Sequence, residues 1–354
     1  MPLTALRTTG LLAIAGVAVF FVWPSPIDPA PYSPQDPPAL EGALAANTTL
    51  RAAERFADGL VKGPEDVAVD AQGRIYAVTE DGLIIRLDRD GQQLETFAST
   101  GGRPLGLHFD AEGRLVVADA ALGLLRIDME GNVETLTDRA DGVPFRFTDD
   151  LDIASDGRIY FSDASSRFDH HHYLHDLLEA RPHGRLLRYD PVLSTTEVLL
   201  DGLYFANGVA LSASEDFVLV NETYRYRITR YWLTGPRAGE HDLFADNLPG
   251  FPDGISSNRR GTFWAALFTV RNPQADRLHP RPWVKATLAK LPRLFWPKPE
   301  PYGLVLGYDE SGQIIRTLQD PGGETIPQVT SAEEVEGQLY LGNLDRDFLA
   351  RITL

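Results

Sequence analysis

Four polar residues stand at matching places in this chain: Glu65 in GPEDVAVD, Asp149 in RFTDDLDIASDG, Asn207 in FANGVALS and Asp253 in FPDGISS, each just ahead of a short apolar run. Carboxylate and amide oxygens are the ligands a hard cation such as calcium takes, and carboxylates gathered without a cation would repel one another. If the four converge, they predict a Ca2+ site built from Glu65, Asp149, Asn207 and Asp253. A carboxylate at such a site can take a proton from water or attack a carbonyl, which makes Asp253 the candidate catalytic base or nucleophile. The competing reading is local, because Asp-Asp and Asp-Gly pairs often do no more than shape turns. The chain has no Cys, so disulfides, thiol catalysis and Cys-ligated zinc are excluded, and any metal must be held by oxygen or imidazole.

Other clusters compete for attention. The tract FDHHHYLHDLLEARPHG carries His170, His171, His172, His175 and His183. Imidazole ligates zinc readily, but consecutive histidines cannot all converge, and only His171 and His175 share a face of a short helix. The expected structure is a solvated helix over a channel mouth, with His170 and His171 as gating or proton-shuttling groups. Glu222, in VLVNETYR, is either a supporting residue of the channel or a plain partner of Arg225 or Arg227. Residues 271–301 are basic in an acidic chain and interleave Arg281, Lys285 and Lys290 with Trp283, Leu288, Phe295 and Trp296. Such an amphipathic insert suits a lipid interface, a lid over a pocket, or simple packing on the domain.

Bringing residues nearly 190 positions apart to one place requires a repeating architecture, and a repeat is present. The copies are VAVDAQGRIYAVTEDGLIIRLD, LHFDAEGRLVVADAALGLLRID, LDIASDGRIYFSDAS with GRLLRYD, VALSASEDFVLVNETYRYRITRYW, GISSNRRGTFWAALF with GLVLGYD, and VEGQLYLGNLDRDFLARIT. Their apolar residues are β-branched or aromatic and their turns read Gln-Gly, Glu-Gly or Asp-Gly, which is hairpin chemistry. Gly73, Gly113 and Gly157 recur at about 40 residues, the spacing of four-stranded propeller blades. This predicts an all-β, six-bladed β-propeller over residues 46–354, with a helical insert between blades five and six. A β-sandwich could use the same hairpins but gives no reason for six similar units.

The chain ends add location. Leu11–Trp23 is uninterrupted apolar sequence behind Arg7, and no A-x-A cleavage site precedes Pro24. Residues 1–23 therefore read as an uncleaved signal-anchor helix with Arg7 cytoplasmic, which makes a single-pass membrane protein with its propeller on the extracytoplasmic side. Cleavage, giving a secreted or periplasmic protein, is the alternative. Residues 24–45 begin PSPIDPAPYSPQDPP and are expected to form a semi-extended, unpacked tether. The formal charge of −17 argues against a nucleic-acid partner.

The passages DGVPFRFTDDLDIASDGRIYFSDASSRF, FANGVALSASEDFVLVNET, RITRYWLTGPRAGEHDLF, LPGFPDGI and GQLYLGN resemble the strictosidine synthase-like branch of the calcium-dependent six-bladed propellers, which includes the adipocyte plasma membrane-associated proteins and is related to paraoxonases and the SMP-30/gluconolactonase proteins. The resemblance covers residues 50–354. It implies a channel calcium held by Glu65, Asn207 and Asp253, with Asp149 where an Asn is often found, that polarises an ester, lactone or phosphoester. Departures limit the inheritance. Thr330 stands where strictosidine synthase has its catalytic Glu, so Pictet-Spengler condensation is not expected. Leu105 and a position near Ala118 fall where paraoxonases have a His pair, His108 reads as a packed or surface histidine, and Gly254 replaces an Asn after Asp253. The expected function is calcium-dependent hydrolysis of small-molecule esters or lactones, of the arylesterase or lactonase kind. The alternative is a non-enzymatic, membrane-anchored scaffold with a structural calcium.

Overall fold

The repeats fold as meanders because their turns are chemically specified. In the first blade Asp70 Oδ1 accepts from the backbone N–H groups of Gln72 and Arg74 at 3.0 and 2.8 Å, and Gly73 takes φ +79°, where a Cβ would be strained. Asp110 repeats this in blade two with Glu112 and Arg114 at 3.1 and 2.8 Å. The aspartates that shape turns are thus Asp70 and Asp110.

A computed structural model describes residues 23–354. The expected anchor, apart from Trp23, lies outside the described residues, and among those described no helix is long and apolar enough to cross a membrane. Six four-stranded antiparallel sheets form a ring in which each inner strand packs against those of its two neighbours. Blades one to five begin with inner strands Val67–Val69, Pro104–Phe109, Thr148–Ile153, Ala206–Leu211 and Gly250–Ser257. Blade six joins Val329–Val335, Gln338–Asn343 and Leu349–Thr353 to an outer strand from the other end of the domain, Glu54–Phe56. Glu54 pairs with Arg351 and Phe56 with Leu349, so main-chain hydrogen bonds close the ring.

In such a meander the starts of the inner strands and the loops between second and third strands lie on one face. Both large insertions use those loops. In blade three the chain leaves Ile159–Asp163, forms helix α1 (Tyr173–Glu179) and returns as Gly184–Asp190. In blade five it leaves Thr262–Val270, forms α2 (Pro273–Leu278) and α3 (Pro282–Leu288), and returns as Gly303–Asp309. The insert therefore lies within blade five and not between blades five and six. Gly303–Asp309 pairs with both Thr262–Val270 and Ile314–Asp320, so the blade is completed only after the insert. The three consecutive histidines precede α1 and do not belong to it.

The Pro-rich segment expected to be an unpacked tether is instead a strap across these helices. Ile27 is buried with Leu178 of α1, Ala289 and Trp296. Asp28 N–H donates to Glu179 Oε2 at 2.8 Å and Ala30 N–H to the Glu179 carbonyl at 2.8 Å. Lys285 Nζ donates to the Ala30 carbonyl at 2.7 Å, and Arg271 Nη2 to the Gln35 carbonyl at 2.7 Å. Proline holds the backbone extended with its carbonyls unpaired, and the cations of the insert supply the donors.

Two outcomes follow. A chain beginning at residue 37 uncovers Lys285 and the Ile27 pocket, so its Tm should fall by about 4–8 °C relative to a chain beginning at residue 24; equal Tm values by circular dichroism would show that the strap contributes nothing. On α1, Asp176 is buried and accepts from Ser165 Oγ at 2.6 Å. Burial pushes its carboxyl up to about 7, against the opposing effects of Ser165, His183 and Arg167. Between about pH 4 and 7 the folded protein keeps a proton that the unfolded chain has released, so stability falls as pH rises through that window. Asp176→Asn should gain on the wild type by roughly 2–4 kcal/mol between pH 4 and pH 8 in urea titrations, and a pH-independent difference would refute the shift.

Candidate metal centre

Glu65, Asp149, Asn207 and Asp253 come from four different blades and meet at the floor of one cavity of about 660 Å3. The same four border a narrow pocket of about 30 Å3 further down the axis, beside Asp66, His108, Asp150 and Glu333. The upper cavity has apolar walls, among them Phe147, Phe205, Tyr224 and Phe251 from the blades and Leu174 and Leu177 from α1, while Trp296 after α3 closes its side.

Two of the three floor carboxylates are already paired. Arg103 Nη2 lies 2.6 Å from Glu65 Oε2, and Asn207 Nδ2 donates to Asp253 Oδ1 at 2.6 Å. Asp149 Oδ2 is buried without a partner. Burial, followed by the charges of Asp253 and Glu65, holds the Asp149 carboxyl well above the usual carboxylate range. Burial and then Glu65 do the same to Asp253, against the Asn207 hydrogen bond. Glu65 is raised by burial and pulled back by Arg103. Among the described residues no three His, Asp or Glu side chains stand as a ready metal cluster. The donor set nevertheless fits a hard cation: the groups are all oxygen donors, they repel one another as placed, and one oxygen is left over.

Neighbouring residues hold the floor. Asn221 is fully buried and donates to the Asp253 carbonyl at 2.5 Å, while Thr223 Oγ1 donates to the Pro252 carbonyl at 2.7 Å. A Cβ on Gly208 would sit 2.4 Å from Ile255 N, and one on Gly254 would sit 2.7 Å from the Thr330 carbonyl. Glycine is what lets the inner strands of blades four, five and six approach this closely, so the Asn that relatives have after the blade-five Asp has no room here. Thr330 is spent on architecture, its Oγ1 donating to the Glu65 carbonyl at 2.6 Å.

The other candidates divide. His170 and His171 line the cavity, and His170 Nδ1 is buried without a partner. Glu222 is fully buried but spent on Arg227, at 2.7 and 2.9 Å, on Thr229 and on Tyr204 N–H, and it borders neither cavity. His108, read as a packed or surface residue, borders the lower pocket. Arg103 and Asn221 escaped the sequence reading because neither belongs to a repeated motif. A lone Arg before an inner strand, in GRPLG, was the available signal.

Fold and site together define a six-bladed propeller with a polar axial site beneath a roofed apolar cavity. The chain belongs to the strictosidine synthase-like family that includes the adipocyte plasma membrane-associated proteins. The "Strictosidine synthase" profile matches residues 149–236 and the "Strictosidine synthase-like, N-terminal" profile residues 42–87. The chain is 38% identical to the adipocyte plasma membrane-associated protein of Rattus norvegicus over 99% of each chain. It is 38% identical to strictosidine synthase-like protein 10 of Arabidopsis thaliana, over 81% of this chain and 84% of that one. Among solved structures, a Xanthomonas campestris gluconolactonase superposes with TM-score 0.63 at 21% identity, covering 94% of this chain and 96% of that one. The calcium-binding protein regucalcin of Agrobacterium tumefaciens gives 0.60 at 15% identity, covering 84% and 92%. At these identities the two structures establish the shared propeller fold.

Asp149→Asn tests the electrostatics of the floor. Removing one of three mutually repelling carboxylates should stabilise the chelated protein by on the order of 1–3 kcal/mol and shrink the Tm increase produced by calcium. A variant with unchanged Tm in both chelator and calcium would show that Asp149 carries no charge there.

Proposed function

We propose that the protein is a calcium-dependent hydrolase of esters or lactones that works at the floor of the axial cavity. The observation that carries this reading is the convergence of Glu65, Asp149, Asn207 and Asp253, with an unpartnered Asp149 oxygen, beneath an apolar-walled cavity. The names of the structural neighbours, gluconolactonase and regucalcin, are in keeping with it. Glu65, Asp149, Asn207 and Asp253 would hold the ion, which when bound supplies Lewis-acid polarisation of the scissile carbonyl. Asn207 orients Asp253, and Asp253 accepts the proton of attacking water or attacks the carbonyl itself. The apolar walls and the roof of α1 and Trp296 exclude bulk water and receive the body of the substrate. Thr330, tied to the blade-one carbonyl, offers no acid or base for amine condensation.

The same reading places the propeller beside a membrane, on its extracytoplasmic side. Trp23, where the apolar run ends, is exposed, as are Trp283, Leu294 and Phe295 of the insert, and Lys290 Nζ donates to the Trp23 carbonyl. Exposed aromatics among cations are the composition of an interfacial surface.

The test is a panel of aryl esters and lactones assayed with calcium and with chelator, alongside direct metal analysis. Chelator-sensitive turnover is expected, and Asp253→Asn should keep calcium while losing at least about 100-fold in kcat. Bound calcium with no turnover across the panel would favour the scaffold alternative, and a protein that binds no calcium would overturn the reading.

A further inference from the structure

Arg103 precedes the inner strand of blade two and is 7% exposed. Its backbone is fixed: its N–H donates to Asp119 Oδ1 at 3.0 Å and its carbonyl accepts from Ala120 N–H at 2.8 Å. Its guanidinium borders the large cavity and reaches Glu65 Oε2 at 2.6 Å, with Nη1 donating to the Pro104 carbonyl at 3.0 Å. A guanidinium carries five N–H donors, so most of its capacity is unspent. Beside it His170 also borders the cavity, and its Nδ1 is buried with no partner.

A site built only to hold a dication gains nothing from this neighbour. A guanidinium sharing a carboxylate with the ion repels it, and in a buried site the repulsion is weakly screened. The arrangement becomes favourable when an anion lies between or beside the two cations. Arginine is the side chain whose planar fork matches a carboxylate in two parallel hydrogen bonds. The rest of the cavity is apolar, with Phe147, Phe205 and Phe251 in its walls, and would accept the carbon chain linking such an anion to the reacting carbonyl.

We propose that Arg103, assisted by His170, is an anion-binding subsite of the cavity, and that the substrate is an ester or lactone whose acyl part carries a carboxylate. This rests on the hydrolase reading, in which the carbonyl is activated at the neighbouring floor. Arg103 binds the distal carboxylate and sets which acyl groups are accepted. The bond broken remains the ester C–O, with water supplying the hydroxyl and the proton.

The test uses the intact protein as wild type, Arg103→Met and Arg103→Lys, and two esters of equal length: 4-nitrophenyl hexanoate and mono-4-nitrophenyl adipate. The wild type should favour the adipate by at least tenfold in kcat/KM. Arg103→Met should erase that preference by raising KM for the adipate while leaving the hexanoate within about threefold, and Arg103→Lys, which keeps the charge without the fork, should be intermediate. Calorimetric titration of calcium-loaded protein with adipate dianion provides a readout independent of turnover, and Arg103→Met should lose at least tenfold in affinity. If neither ester is hydrolysed but adipate binds in an Arg103-dependent way, the subsite stands and the hydrolase reading fails. If both esters are turned over alike and adipate does not bind, the subsite is overturned while the hydrolase reading survives. Loss of calcium affinity in Arg103→Met with adipate preference intact would likewise overturn it, leaving Arg103 as a support for Glu65. Should Arg103→Met fail to fold, the Arg103→Lys comparison and the wild-type adipate titration decide between these outcomes.

Discussion

Everything at the axis depends on how the inner strands of neighbouring blades are joined. These strands do not pair into one sheet, so polar side chains bridge the gaps. Asp66 Oδ2 of blade one accepts from Leu107 N–H of blade two at 3.1 Å. Asp150 and Asp152 of blade three accept from Val209 and Leu211 N–H of blade four at 2.8 and 2.7 Å. Ser256 of blade five donates to the Ala332 carbonyl of blade six at 2.6 Å, and Thr330 returns to blade one. Each bridge satisfies a main-chain group that would otherwise be buried unpaired, which costs about as much as a lost hydrogen bond. The ring that results is rigid enough to hold mutually repelling carboxylates close together.

That ring explains the acidic doublets. In Glu65-Asp66 and Asp149-Asp150 the first residue borders the cavity floor while the second spans to the next blade. Successive side chains of a strand point to opposite sides, so one doublet serves chemistry and closure together. Asp253 lacks an acidic successor because Gly254 must admit the blade-six backbone, and its segment is held instead by Asn221 and Thr223.

The roof obeys a different logic. The insertions of blades three and five emerge on the face where the inner strands begin, so α1 and the segment after α3 stand over the floor. Neither has a sheet to extend, and the strap supplies what they lack: apolar contact through Ile27 and carbonyl acceptors for Lys285 and Arg271. The residues that follow the apolar N-terminal run are thereby mechanically continuous with the roof of the cavity.

Much of this was legible in the sequence. Alternating apolar residues and Asp-Gly turns are local signals, so they disclosed the blades, their number and the four residues leading the inner strands. Composition alone removed thiol chemistry. What only the tertiary structure decided was which distant group each residue meets. Glu65 is met by Arg103, 38 positions away, and the Ala30 carbonyl by Lys285, 255 positions away. The insert was misplaced between blades because a strand's membership is defined by the strands on both its sides, not by its own pattern. The strap was read as free because a Pro-rich segment shows that it cannot pair with itself, while its sequence carries no trace of the cations that chain closure brings to its carbonyls. Periodicity is written locally, whereas pairing partners are set by the closed ring, and the chemistry of the floor belongs to the second kind of information.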